Sequence, residues 1–218
     1  MRAKALDHVA LWVAQRDEIA DYVTSELGLH VIDRTDAFTL VGADARQGKL
    51  TLFDAEGPRR AGALKHVGIR VSEGRDGDGR ETEVGDGLRI RLVEVPTTLE
   101  YDLDHVALYS ARPEETAERY LELGFEPAEP GDGGIPRVQS GGRFVEFHAG
   151  DPDGGERPLL NHLAVLCDSA EEQREQAERI GLDVADFVDA PNTLAVFVWG
   201  PERVKIEYVE HKPSFSLV

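Results

Sequence analysis

Short runs of alternating apolar and polar residues dominate the chain, and one of them recurs. Leu-Asp-His-Val-Ala-Leu stands at 6–11 and again at 103–108, Leu-Lys-His-Val-Gly-Ile at 64–69, and Leu-Asn-His-Leu-Ala-Val at 160–165. Each opens a β-type run with period-two patterning, and His8, His66, His105 and His162 hold the same place in the four copies. In three copies the run gives way to a helical period. Ile19, Tyr22, Val23 and Leu27 share one face after His8; Ala117, Tyr120 and Leu121 share one after His105. Pro113 suits a first helical position, and Ser169 with Glu172 fits a capping box before the helix that follows His162. These helices are predicted to stop at Leu-Gly-Leu (27–29), Leu-Gly-Phe (123–125) and Ile-Gly-Leu (180–182), where glycine suits a left-handed cap. The His-to-Gly spacing is 20, 19 and 19 residues.

Further strand-like runs follow each glycine. Gly-Lys-Leu-Thr-Leu-Phe-Asp-Ala (48–55) aligns without gaps on Gly-Arg-Phe-Val-Glu-Phe-His-Ala (142–149); Gly-Leu-Arg-Ile-Arg-Leu-Val-Glu (87–94) and Arg-Val-Lys-Ile-Glu-Tyr-Val-Glu (203–210) end the other two copies. The repeated unit is therefore strand, helix and about three strands, an α+β plan. The second copy departs from it. Residues 73–86 are polar and Gly-rich without an apolar period, which predicts a loop in place of the helix and two strands. Pro, Gly and acidic residues gather near 56–63, 96–101 and 150–158, the natural boundaries between copies.

The pleat points to candidate chemistry. A histidine on the first strand of a unit and a carboxylate on its last strand can approach each other if those strands are neighbours. The third copy offers His105 and Glu146, the fourth His162 and Glu207, while the gapless alignment puts Leu52 and Arg91 at the glutamate position of the first two. Two imidazoles and one or two carboxylates suit a divalent cation. The expectation is one metal ion held by His105, His162 and Glu207, with Glu146 a further ligand. The N-terminal pair of units (1–98) is then a metal-free scaffold and the C-terminal pair (99–218) the metal-binding, catalytic half. His148, on the face of Glu146, is a candidate proton carrier; His8 and His66 are read as features of the repeat.

Composition narrows the classes. The net charge of −18 argues against nucleic acid and anionic membranes as partners. No apolar run reaches the length of a membrane span, and the first residues lack a signal-peptide core, so a cytoplasmic location is expected. Cys167 is the only cysteine, so neither an intrachain disulfide nor a Cys-based zinc site is expected. No P-loop, Rossmann glycine fingerprint or Ser–His–Asp arrangement is present.

The Leu-Asp-His-Val starts, the Leu-Gly-Phe helix end and Gly-Pro-Glu-Arg-Val-Lys-Ile-Glu-Tyr (200–208) resemble the vicinal oxygen chelate superfamily. That superfamily includes glyoxalase I, the bleomycin-resistance proteins, methylmalonyl-CoA epimerase and the type I extradiol dioxygenases. The resemblance implies βαβββ modules paired into cup-shaped sheets around a metal. Four modules with a metal-free N-terminal pair resemble the extradiol dioxygenases, which implies Fe(II), with Mn as alternative, on His105, His162 and Glu207, and ring cleavage of an aromatic diol. Against that pattern, Phe197 stands where the extradiol signature has Tyr, Arg203 stands where it has Gly, and no His occurs between His162 and His211. Glu146 beside Glu207 fits instead a glyoxalase- or epimerase-like isomerase or lyase, in which Zn or Ni polarises a dicarbonyl-type substrate and a metal-bound glutamate moves a proton. A binding protein without turnover, of the bleomycin-resistance type, is the third reading. The oligomeric state, homo-oligomer included, is left open.

Overall fold

The structure is a computed structural model and describes residues 1–72 and 79–217. The first unit contains β1 (Ala5–Val13), α1 (Arg16–Ser25), β2 (His30–Arg34), β3 (Phe38–Gly42) and β4 (Lys49–Asp54). The second contains β5 (Leu64–Val71), β6 (Glu81–Gly85) and β7 (Leu88–Glu94). The third runs through β8 (Leu103–Ser110), α2 (Pro113–Glu122), β9 (Glu126–Pro127), β10 (Arg137–Ser140) and β11 (Arg143–Ala149). The fourth runs through β12 (Leu160–Leu166), α3 (Ala170–Arg179), β13 (Val184–Asp189), β14 (Thr193–Trp199) and β15 (Lys205–His211). The α+β plan of repeated units is thus present. Its helices start and stop where the residues predict: Pro113 opens α2, Ser169 accepts from the Glu172 N–H at α3, and Gly28, Gly124 and Gly181 take φ of +73°, +86° and +74°.

Two parts of the expectation are corrected. Residues 73–78 of the predicted polar loop lie outside the described residues, but β6 forms within the rest of it and pairs antiparallel with β7. Its signal is charge rather than apolar period, since Glu81 meets Arg89 across the pair at 3.0 Å. The larger correction concerns the pairing of units. Sheet order is β13-β14-β15-β12-β1-β4-β3-β2 and β6-β7-β5-β8-β11-β10-β9. The first unit is joined to the fourth through β1 and β12, and the second to the third through β5 and β8. The boundary near residue 98 therefore does not separate two paired halves.

The cause lies in how the units interlock. The apolar faces of both sheets and the helices form one core, with Val9, Leu11, Val67, Val106, Phe147, Leu163 and Ile206 all buried in it. Units adjacent in sequence meet helix to turn. Gln15 precedes α1 without capping it, and Asp86, in the β6–β7 turn, accepts from the Ala14 and Gln15 N–H groups at 2.6 and 2.7 Å. Glu202, in the short turn before β15, accepts from Ala111 N–H and Ser110 Oγ at the start of α2. Each carboxylate accepts from N–H groups just ahead of the first helical turn and stands near the positive end of the helix dipole. With these contacts holding unit one to two and three to four across the core, the remaining strand edges pair one with four and two with three. Asp86→Ala is expected to lower unfolding free energy by about 1 kcal/mol in urea titration, and Asp86→Asn, which keeps an acceptor, by less.

Candidate metal centre

All four first strands carry a β-bulge at the residue before the histidine. In the β1–β12 pair the register skips Asp7 and Asn161; in the β5–β8 pair it skips Lys65 and Asp104. A bulge re-aims side chains, so an Asp-His dipeptide can turn both groups toward the concave face. Asp7 Oδ2 reaches His8 Nδ1 at 2.7 Å and Asp104 Oδ1 reaches His105 Nδ1 at 2.7 Å. In both rings the carboxylate holds Nδ1 and leaves Nε2 directed inward. Lys49, at 2.8 Å, and His211, at 3.3 Å, hold Asp7 in turn, and these neighbours keep its carboxyl far below the usual range despite burial.

In the eight-stranded sheet, Ala10 faces His162 and Ala164 faces Glu207. Small residues there leave room for the ring and carboxylate to lean toward each other. His8 Nε2 lies 3.1 Å from His162 Nε2, His8 Nε2 lies 3.2 Å from Glu207 Oε2, and His162 Nε2 lies 3.0 Å from Glu207 Oε2. Three donors at these separations match one face of an octahedron whose bonds are about 2.1 Å, for which the edge is roughly 3.0 Å. Glu207 Oε2 is buried without a hydrogen bond although two imidazoles adjoin it. Burial works against its charge, yet His162 and His8 hold its pKa down at about 2. For His8, burial would lower the pKa, but Glu207 and Asp7 outweigh it and raise it to about 9. The donor set therefore fits a divalent cation held by two imidazoles and one carboxylate, and among the described residues no other group brings three such ligand atoms within 4.8 Å of one another.

The expected ligand set does not converge. His162 and Glu207 belong to this triad; His105 and Glu146 lie in the seven-stranded sheet, together with His148. There His66 Nε2 and His105 Nε2 are 2.9 Å apart, and Glu146 Oε2 lies 3.9 Å from His105 Nε2 and 3.4 Å from His148 Nε2. Arg137 reaches Glu146 at 3.6 Å, Lys65 reaches His148 Nδ1 at 3.1 Å, and Arg91 faces Gly68, the place held by Glu207 in the fourth unit. Burial, His105, Lys65 and Arg91 push the His66 pKa down to about 3. Among these causes, the cationic Lys65 and Arg91 would repel a metal cation as they do a proton. His148 and Glu146, expected to serve the metal, are therefore not beside the triad.

His8 is the ligand that the sequence reading left out. The signal was the repeated phrase itself, but recognising it required knowing that the first unit pairs with the fourth. The gapless alignment also misplaced the glutamate position of the first unit. His105 pairs with Phe144 on the last strand of its unit, whereas His8 pairs with Lys49, one residue earlier in the aligned segment. A one-residue slip reverses strand faces. Leu52 is thereby in the core, and Thr51, opposite Ala10, takes the fourth position of the cup.

The walls around the triad are aromatic. Phe53 packs against Trp12 (centroids 5.3 Å apart), Phe38 (5.8 Å) and His162 (6.4 Å), and Phe197 meets the His162 ring edge-on at 5.2 Å. A cavity of about 540 Å³ is lined by Trp12, Asn161, Trp199 and Lys205 together with the 151–158 linker; chain neighbours of the triad line it, and the triad itself does not.

The family model described as Glyoxalase/Bleomycin resistance protein/Dioxygenase superfamily matches residues 5–79. Solved structures extend the likeness over the whole chain. Glyoxalase I from Zea mays, as the V278E mutant, superposes with a TM-score of 0.78 at 15% identity, covering 95% of this chain and 92% of that one. A candidate dioxygenase from Bacillus subtilis gives 0.77 at 16% identity, covering 98% and 87%. Residues 5–79 thus match a domain of this superfamily, and the chain as a whole shares the fold of these neighbours. Its fold is that of glyoxalase I and the candidate dioxygenase, at identities that establish fold and not reaction. The search of curated proteins finds no match. Within the superfamily fold, a His-His-Glu site occupies the cup of the eight-stranded sheet.

Two measurements test the site. Purified protein is expected to take up one divalent ion per chain by calorimetric titration with Ni(II) or Zn(II), and His8→Ala or Glu207→Ala to abolish uptake while His105→Ala leaves it intact. His162 Nδ1 is buried without a partner, beside Asn161 instead of an Asp. Asn161→Asp, which repeats the Asp7–His8 pairing, is expected to tighten the same titration by about tenfold.

Proposed function

We propose that the chain is a metal-dependent enzyme of the dioxygenase type, with Fe(II) as the favoured ion, acting on a small aromatic diol. The observation that carries this reading is the three-ligand site: His8, His162 and Glu207 would occupy one face of the ion and leave the opposite positions open. Two histidines and one carboxylate with open positions form the arrangement used by non-haem Fe(II) oxygenases. An isomerase of the glyoxalase type calls for a second carboxylate in the cup, and Thr51 stands at that position.

An Fe(II) ion bound there would supply chelation of two neighbouring substrate oxygens and activation of dioxygen. The chain's own residues do the rest. Asp7 holds the His8 ring through Nδ1, so that its Nε2 stays aimed at the site. Phe197, directly opposite Glu207 in the β14–β15 register, offers a ring edge and no proton. With Phe53 and Phe38 it keeps the approach to the triad apolar, which excludes water and favours a flat aromatic substrate. Lys205, two residues before Glu207 on the same strand, is the cationic group of the cavity lining that lies closest in sequence to the triad.

Anaerobically Fe(II)-loaded protein is expected to consume dioxygen in an electrode cell when given a panel of catechols, and Glu207→Ala to lose that uptake. If no member of the panel supports uptake by protein that holds one Fe(II) per chain, the dioxygenase reading is wrong.

A further inference from the structure

We propose that the cavity beside the triad selects an aromatic substrate that carries a carboxylate, and that Lys205 is the residue that recognises the charge; this rests on the reading of the triad as a metal site for aromatic substrates. The Lys205 ammonium is the starting point. It lies in the cup with its Nζ 5.5 Å from the centre of the Phe197 ring and 5.7 Å from that of Trp199. Among the described residues it takes part in no ion pair and no hydrogen bond, and it lies over these two rings. A half-buried cation on aromatic faces is only partly compensated, and this one lines a cavity large enough for a small aromatic acid.

The rest of the lining agrees. Of the four acidic residues of the lining, Glu156 is exposed and the other three make hydrogen bonds. Glu202 turns its carboxylate toward Ser110 and Ala111 at the start of α2. Asp151 and Asp153 accept from backbone N–H groups within the exposed linker. A second basic group of the lining, the exposed Arg203, also lies over the Trp199 ring, at 5.7 Å. Charge balance points the same way. A divalent ion with Glu207 carries one net positive charge and Lys205 adds a second, which suits a ligand that brings a carboxylate in addition to its chelating oxygens. Trp12 and Trp199 both line the cavity and offer it aromatic surface.

Trp12 and Trp199 are the only two tryptophans of the chain and both line this cavity, so their fluorescence reports occupancy without turnover. The test titrates metal-loaded protein, without oxygen, with 3,4-dihydroxybenzoate and with 3,4-dihydroxybenzamide, which share shape and differ in charge. The wild type is expected to bind the carboxylate at least tenfold more tightly than the amide. Lys205→Met is expected to lose that preference while keeping its affinity for the amide and its far-ultraviolet circular dichroism, and Lys205→Arg to retain the preference. Equal affinities in the wild type, or a preference that survives in Lys205→Met, overturn the proposal. Because the readout is binding, a protein that prefers the carboxylate but consumes no dioxygen would sink the dioxygenase reading and leave this one standing.

Discussion

The antiparallel pairing of β1 with β12 is the contact on which the site depends. It sets Ala10 against His162 and Ala164 against His8, which brings two imidazoles from opposite ends of the chain to 3.1 Å. Parallel pairing of β12 with β15 then adds Glu207 from the neighbouring strand. The backbone hydrogen bonds of these ladders are themselves ordinary; their value is positional, because the cup face of a central strand admits donors from three strands within one pleat. The bulges at Asp7 and Asn161 complete the arrangement by turning the residue before each histidine toward the same side.

The same repeated unit produces two cups of opposite character. In one, Asp7 and Glu207 stand against the imidazoles; in the other, Asp104 and Glu81 hold His105 and His66 while Lys65, Arg91 and Arg137 add positive charge around His66, His148 and Glu146. Duplication supplied equivalent positions, and single substitutions at them decide whether a cation is attracted. Both cups have an Asp-bound histidine and a pair of close Nε2 atoms. What separates them is the residue at the last strand, the residue at the bulge and the closeness of the carboxylate, 3.0 Å from His162 in one cup and 3.9 Å from His105 in the other.

The helix caps show how the two sheets are held in one body. Asp86 and Glu202 come from one unit and serve the helix of the unit before it. Each contact is modest by itself, yet each also closes off a helix end that would otherwise lie open at the junction of units. Sequence neighbours are thereby tied through the core, and sequence-distant units through the sheets. This is why the chain does not come apart into halves near residue 98.

Much of this was legible without coordinates. The recurring His-centred phrase, the helix ends at Gly28, Gly124 and Gly181, the unit plan and the approach of His162 to Glu207 all follow from local periodicity and residue chemistry, which strands and helices express within a few residues. The partner of those two ligands was not legible. Which edges pair is settled by long-range complementarity across the whole core, and four near-identical first strands carry no local mark of their partners. Nor was the face of β4 legible, because a one-residue slip between β1 and β4 leaves the composition of the segment unchanged while it exchanges Leu52 for Thr51 in the cup. Residue types along the chain determined what the site could be made of, and the tertiary pairing of strands decided that His8, and not His105, stands in it.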